Sequence, residues 1–217
     1  MNNSILNRIY EFSYDCKNSY SNEIKYFKKI RNDLGLDCFI IKDDETKVLK
    51  IIFVGTNEKK DWLCNLNFKR YYFNKKEFIH NGVYKMYKKS SSEIISEILK
   101  LKFNKIVIIG HSLGGYLCQA MAYDLLINYN IKSNIFIYGS GLIISKEIQK
   151  LFWKNNIILF EIILKEDIVP KLLKLIYPSY YSIKIKINSK NKFSLNIIKN
   201  HLMITYLNSF ENILHNK

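Results

Sequence analysis

Hydrophobic positions along the 217-residue chain alternate between short apolar runs and amphipathic stretches. Among the first thirty residues, Ile5, Ile9 and Phe12, then Ile24, Phe27 and Ile30, recur at helical intervals and predict one or two surface helices. Leu36–Ile41 and Val48–Val54 are strand-like runs joined by the polar segment Lys42–Lys47, the pattern of a hairpin. Residues 57–70 mix polar and aromatic side chains. A long amphipathic helix is predicted over 84–101, with Tyr87, Ile94, Ile95, Ile98 and Leu101 on one face. The β-branched run Ile106–Ile109 then meets Gly110-His111-Ser112-Leu113-Gly114, and Leu113, Leu117, Ala120 and Met121 follow at helical spacing. That pattern predicts a strand, a sharp turn and a helix. Downstream come a strand at Ile135–Gly139, a helix at 143–152 and an apolar run at Ile157–Leu164. An alternating strand follows at Ser182–Ile187, and a C-terminal helix spans Leu202 to about Leu214. Strands alternating with helices imply an α/β fold, a mostly parallel central sheet with helices on both faces and an antiparallel hairpin entering it. No repeat or linker breaks the chain, so one domain over 1–217 is expected.

Composition narrows this little. A hydrophobic share of 48% and an aromatic share of 14% exclude a disordered chain. The net charge of +15 raises a nucleic-acid or anionic-membrane partner. The lysines are scattered, however, and the joint richness in Ile, Lys, Asn and Tyr matches A+T-rich coding drift, so a nucleic-acid partner is not expected. Peripheral contact with an anionic lipid surface stays open. No run approaches about 18 uninterrupted apolar residues, the length that spans a bilayer. Met1–Phe12 lack the apolar core of a signal peptide. The four cysteines, Cys16, Cys38, Cys64 and Cys118, lack metal spacing. The chain therefore reads as intracellular and cytoplasmic, with free thiols and no metal or organic cofactor implied.

The candidate chemistry centres on Ser112. A serine at a strand-to-helix bend sits in a strained conformation, and any side chain at Gly110 or Gly114 would collide with the neighbouring strand or helix. Its hydroxyl faces the helix N-terminus, where the dipole and free N–H groups favour developing negative charge. A serine hydroxyl is inert at neutral pH without a base. Of the four histidines, His111 is expected to pack under the bend, His80 precedes the nucleophile, and His215 lies in a polar tail. His201, after the last strand, fits the chain order serine, acid, histidine. Asp167, just past the Ile157–Leu164 strand, is the candidate acid. Glu166 is its nearest rival, and Asp124 lies inside the helix after the serine, facing away. Two donors are needed for an oxyanion: the N–H of Leu113 is one, and a loop at Val54-Gly55-Thr56 supplies the other.

The segments FVGTNEKKDWLCNL, HNGVYKMY, VIIGHSLGGYL, FIYGSG, EDIVP and NHLMITYL, spanning 53–207, together resemble the class 3 lipases of the α/β-hydrolase fold. That family includes fungal-type triacylglycerol lipases with related phospholipases and feruloyl esterases. The resemblance implies a Ser112–Asp167–His201 triad, an oxyanion hole of Thr56 and Leu113, and a mobile lid at 57–66. In that lid, Trp62, Leu63 and Leu66 would meet the acyl chain or lipid surface. Departures from the family pattern are Val54 in place of arginine, Gly141 in place of proline and Val83 in place of an aromatic residue. The function implied is a serine carboxylic-ester hydrolase acting on lipid esters through an acyl-enzyme. Lys59 and Lys60 beside the lid's apolar residues keep a phospholipase A1-type activity as an alternative. A lipase fold that has lost catalysis and binds lipid or a protein partner is the non-enzymatic alternative.

Overall fold

The computed structural model describes residues 3–55, 69–172, 174, 176–189 and 197–215. Helix α1 (Asn3–Ser21) buries Leu6, Ile9, Phe12 and Cys16, a stripe at helical spacing that faces the sheet. No second helix follows it. Lys28–Arg31 forms strand β1 instead, pairing antiparallel with β2 (Asp37–Lys42), Ile30 opposite Cys38. Only Ile30 of the apparent helical stripe is buried, while Phe27 is half exposed, so there was no face to sustain a helix. Ile24 and Phe27 precede the strand, and residues 28–31 take the hydrogen-bonding partners that β2 offers.

β2 and β3 (Val48–Val54) form the expected hairpin. The small pair β4 (Arg70–Tyr72) and β5 (Phe78–His80) leads into α2 (Asn81–Leu99). This helix starts three residues before its predicted position because the Nδ1 of His80 accepts from the Val83 N–H, capping the first turn. β6 (Lys105–His111), α3 (Leu113–Tyr129), β7 (Ser133–Tyr138), α4 (Lys146–Lys154) and β8 (Leu159–Leu164) continue the alternation. After β8 come the short α5 (Val169–Leu172), β9 (Ile183–Ile187), α6 (Ile197–His201) and α7 (Met203–His215).

The seven-stranded sheet has the order β1-β2-β3-β6-β7-β8-β9, with β1, β2 and β3 antiparallel and every pair from β3 onward parallel. Both faces are covered. On one, Leu49, Ile51, Phe53, Ile106, Ile108 and Ile135 pack against α2 and α3 residues such as Ile94, Ile98, Leu117 and Met121. On the other, Ile52, Val107, Ile109, Phe136 and Tyr138 pack against Ile9 and Phe12 of α1 and Tyr206 and Phe210 of α7. Burial on both faces is why Ile106–Ile109 reads as an unbroken apolar run rather than an alternating one. Val54, standing where an arginine was expected, joins the second face and is buried there. Among the described residues no helix is long and apolar enough to cross a membrane. Cys16, Cys38 and Cys118 are buried free thiols, and Cys64 lies outside the described residues.

Candidate active site

The carboxyl ends of parallel strands are where this architecture gathers functional groups. Ser112 lies one residue beyond β6, at φ 55° and ψ −124°. A non-glycine residue holds such a backbone only when its surroundings impose it. Here the Ser112 N–H donates to the Tyr138 carbonyl at 2.9 Å, and its carbonyl accepts from Gly115 N–H at 3.0 Å and from the Ser140 hydroxyl at 2.5 Å. The two flanking glycines let helix and strand close on this turn. A Cβ on Gly110 would overlap the Gly114 main chain, and one on Gly114 would overlap the Phe53 carbonyl of β3. The hydroxyl therefore stands at the start of α3, beside the Leu113 N–H at the positive end of the helix.

Two further segments bring the remaining groups to it. His201, the last residue of α6, places Nε2 2.8 Å from Ser112 Oγ and Nδ1 2.7 Å from Asp167 Oδ2. Asp167, three residues past β8, is fully buried, and its Oδ1 accepts from the Val169 N–H at 2.9 Å. Asp167 is an acceptor when ionised, so His201 Nδ1 carries a proton and Nε2 is left to accept from the serine hydroxyl. Ser112 and His201 are each 5% exposed, so a water-poor environment strengthens these contacts.

Three contributors were not foreseen. Tyr206, on α7, donates its hydroxyl to Asp167 Oδ2 at 2.7 Å and accepts from the Leu164 N–H at 3.2 Å. Burial, then the Asp167 charge, push its own hydroxyl well above the usual tyrosine range, so it remains a donor. The hydroxyl of Ser140 holds the serine turn from below, and that of Tyr20, on α1, sits 2.8 Å from His111 Nδ1. The sequence signal available for Tyr206 was its place in the apolar stripe of α7, which does not by itself separate a core ring from a ring whose hydroxyl reaches a carboxylate.

The other candidates lie elsewhere. His111 is buried next to the site, its ring 4.9 Å from that of His201, whereas His80 caps α2. Asp124 is buried against the Tyr87 hydroxyl at 2.7 Å, and Glu166 accepts from the Ser189 N–H at 3.0 Å. The predicted second oxyanion donor, Thr56, and the lid residues Trp62, Leu63 and Leu66 lie outside the described residues, as do Lys59 and Lys60. A pocket of about 280 Å³ runs beside the histidine segment, lined by Lys17, Tyr20, His111, Leu202, Met203 and Ile204. No group of His, Cys, Asp and Glu suited to a metal ion occurs among the described residues.

A two-sided, mostly parallel sheet with a serine, a histidine and an aspartate hydrogen-bonded across its strand ends defines an α/β-hydrolase-type architecture. The sequence signature of the lipase (class 3) family matches residues 50–176. The chain belongs to the class 3 lipase family, a family of lipase-type hydrolases. Among solved structures, the Rhizomucor miehei triacylglyceride lipase superposes with a TM-score of 0.71 at 16% identity, covering 88% of this chain and 82% of that one. A Penicillium expansum triacylglycerol lipase gives 0.76 at 15% identity, over 87% and 81%. Lipase II from Rhizopus niveus gives 0.73 at 16% identity, over 89% and 84%. At these identities the likeness is one of fold. No curated protein sequence matches the chain.

Proposed function

We propose that this protein is a serine carboxylic-ester hydrolase acting on lipid esters, with Ser112 as nucleophile, His201 as general base and acid, and Asp167 as the acid that orients it. The observation that carries this reading is the unbroken chain Ser112 Oγ–His201–Asp167, with contacts of 2.8 and 2.7 Å. As Ser112 attacks the ester carbonyl, its proton passes to His201 Nε2, and the imidazolium is stabilised by the buried Asp167 carboxylate. The carbonyl oxygen gains negative charge beside the Leu113 N–H, with Thr56 proposed as the second donor. Collapse of this tetrahedral adduct expels the alcohol, which takes the proton from His201 and leaves an acyl-serine. Water, deprotonated by the same imidazole, then attacks the acyl-serine; the carboxylic acid leaves and Ser112 regains its proton.

Membership of the lipase family supports a lipid ester as substrate, triacylglycerol-like in the first instance. Residues 57–66 are proposed as the cover that meets the lipid surface through Trp62, Leu63 and Leu66. The buried free thiols fit a reducing, cytoplasmic setting. Purified protein should release p-nitrophenol from medium-chain p-nitrophenyl esters, and Ser112→Ala should lower that rate by at least about 10⁴-fold while leaving the fold intact. Equal rates in the two proteins would reject the assignment.

A further inference from the structure

We propose that Tyr20 is a positioning residue that ties the N-terminal helix to both the base and the oxyanion side of the site, acting through His111. The proposal rests on the serine-hydrolase reading above. His111 Nε2 lies 2.7 Å from the main-chain carbonyl of His201, and Nδ1 lies 2.8 Å from the Tyr20 hydroxyl. A carbonyl only accepts, so Nε2 must carry a proton. The neutral ring then has a lone pair on Nδ1, and Tyr20 donates to it. The Tyr20 oxygen also packs against Gly55, where an added Cβ would overlap it. With the His111 ring neutral, each donor in the run Tyr20 O–H, His111 Nδ1, His111 Nε2–H, His201 carbonyl faces an acceptor, and Gly55 lies against the Tyr20 oxygen at its start.

Each end of that run is a place where the main chain needs an anchor. The His201 carbonyl sits at the break between α6 and α7, where a small rotation would swing the imidazole away from Ser112. Gly55 follows Val54, the last residue of β3, and immediately precedes Thr56 in the sequence. His111 itself is the last residue of β6, next to the nucleophile, its ring 4.9 Å from that of His201. The hydroxyl that joins these elements comes from a helix that is itself fixed. Ile9, Phe12 and Cys16 of α1 are buried on the sheet. The Tyr138 hydroxyl donates to the Ile9 carbonyl at 2.6 Å, and Lys50 pairs with Asp15 at 2.6 Å. Both α1 and His201 fall outside the stretch that matches the family, residues 50–176. The part of the chain that carries the nucleophile is thus held in register with its base by a segment from the far N-terminus.

The test is kinetic and spectroscopic. Tyr20→Phe, which removes only the hydroxyl, should lower kcat on a soluble p-nitrophenyl ester about 3- to 10-fold, with KM within about twofold. In a His111→Gln background, whose side chain still offers a donor to the His201 carbonyl, Tyr20→Phe should have no further effect on kcat. Nitrogen-15 histidine spectra of the wild type should show His111 as the Nε2–H tautomer, and those of Tyr20→Phe should show its Nδ1 resonance shifted by loss of the hydroxyl's hydrogen bond. An active wild type with unchanged kcat in Tyr20→Phe overturns the proposal alone. So does a loss of equal size in both backgrounds, since that loss would not pass through His111. A wild type with no Ser112-dependent hydrolysis overturns the serine-hydrolase reading and this role with it, while the tautomer spectra still report whether the contact exists.

Discussion

Tyr206→Phe probes how far the site depends on a fully buried carboxylate. The wild-type hydroxyl supplies one of three described donors to Asp167, the others being His201 Nδ1 and the Val169 N–H. A hydrogen bond to a charged group contributes about 1.5–3 kcal/mol, and the Leu164 N–H left without its acceptor costs about 1–3 kcal/mol more. The phenyl ring refills nearly all the space, so no sizeable cavity term is added. A destabilisation of about 2.5–6 kcal/mol follows, which at roughly 2–4 °C per kcal/mol for a chain of this size lowers Tm by about 5–24 °C. Circular dichroism melts and urea unfolding measure it directly. Activity should fall as well, because a carboxylate with one donor fewer orients His201 less tightly. The comparison that isolates the effect is a double-mutant cycle with Asp167→Asn: with the charge gone, removal of the tyrosine hydroxyl should matter less by about 1 kcal/mol or more. A Tyr206→Phe protein within about 0.5 kcal/mol of wild type, with unchanged kcat, would refute the reasoning.

Two further outcomes follow from the same geometry. Gly114→Ala places a methyl group on the Phe53 carbonyl, which belongs to a central strand and cannot move freely. A loss of at least about 1–3 kcal/mol in chemical unfolding is expected, and a neutral substitution would show that helix and strand are not in close contact there. His80 is shifted below its ordinary pKa by burial. Its folded form thus resists protonation, so its contribution to stability is present above about pH 6.5 and is lost as pH falls from there through the lowered folded value. His80→Asn, which can still cap α2, should flatten that part of the stability–pH curve, and an unaltered slope would assign the titration to another group.

Much of the fold was legible because the inner strands are buried on both faces. Ile106–Ile109, Ile157–Leu164 and the hairpin at 36–54 announced themselves as dense apolar runs, and the glycine-flanked serine fixed where one of them had to bend. The hidden elements are those with little core of their own. β1 buries one residue of four, and β4 and β5 are three residues each. Their pairing is decided by neighbouring edges rather than by local pattern. At the site, chain order nominated His201 over His80, and a place just past a core strand nominated Asp167, with Glu166 as its nearest rival. Tyr20 and Tyr206 were not readable, since each lies on a helix whose apolar stripe explains an aromatic ring without reference to its hydroxyl. Those contacts arise only when α1 and α7 meet the strand ends of the sheet.

The central claim is that Ser112 is a nucleophile activated by His201, and covalent labelling tests it most directly. A fluorophosphonate reacts with such a serine and spares inactive ones, and peptide mass spectrometry locates the adduct. The expected result is one adduct per chain on Ser112, absent after heat unfolding, absent in Ser112→Ala, and formed at least about 10³-fold more slowly in His201→Ala. A folded wild-type protein that remains unlabelled, or that labels equally fast without His201, would contradict the account.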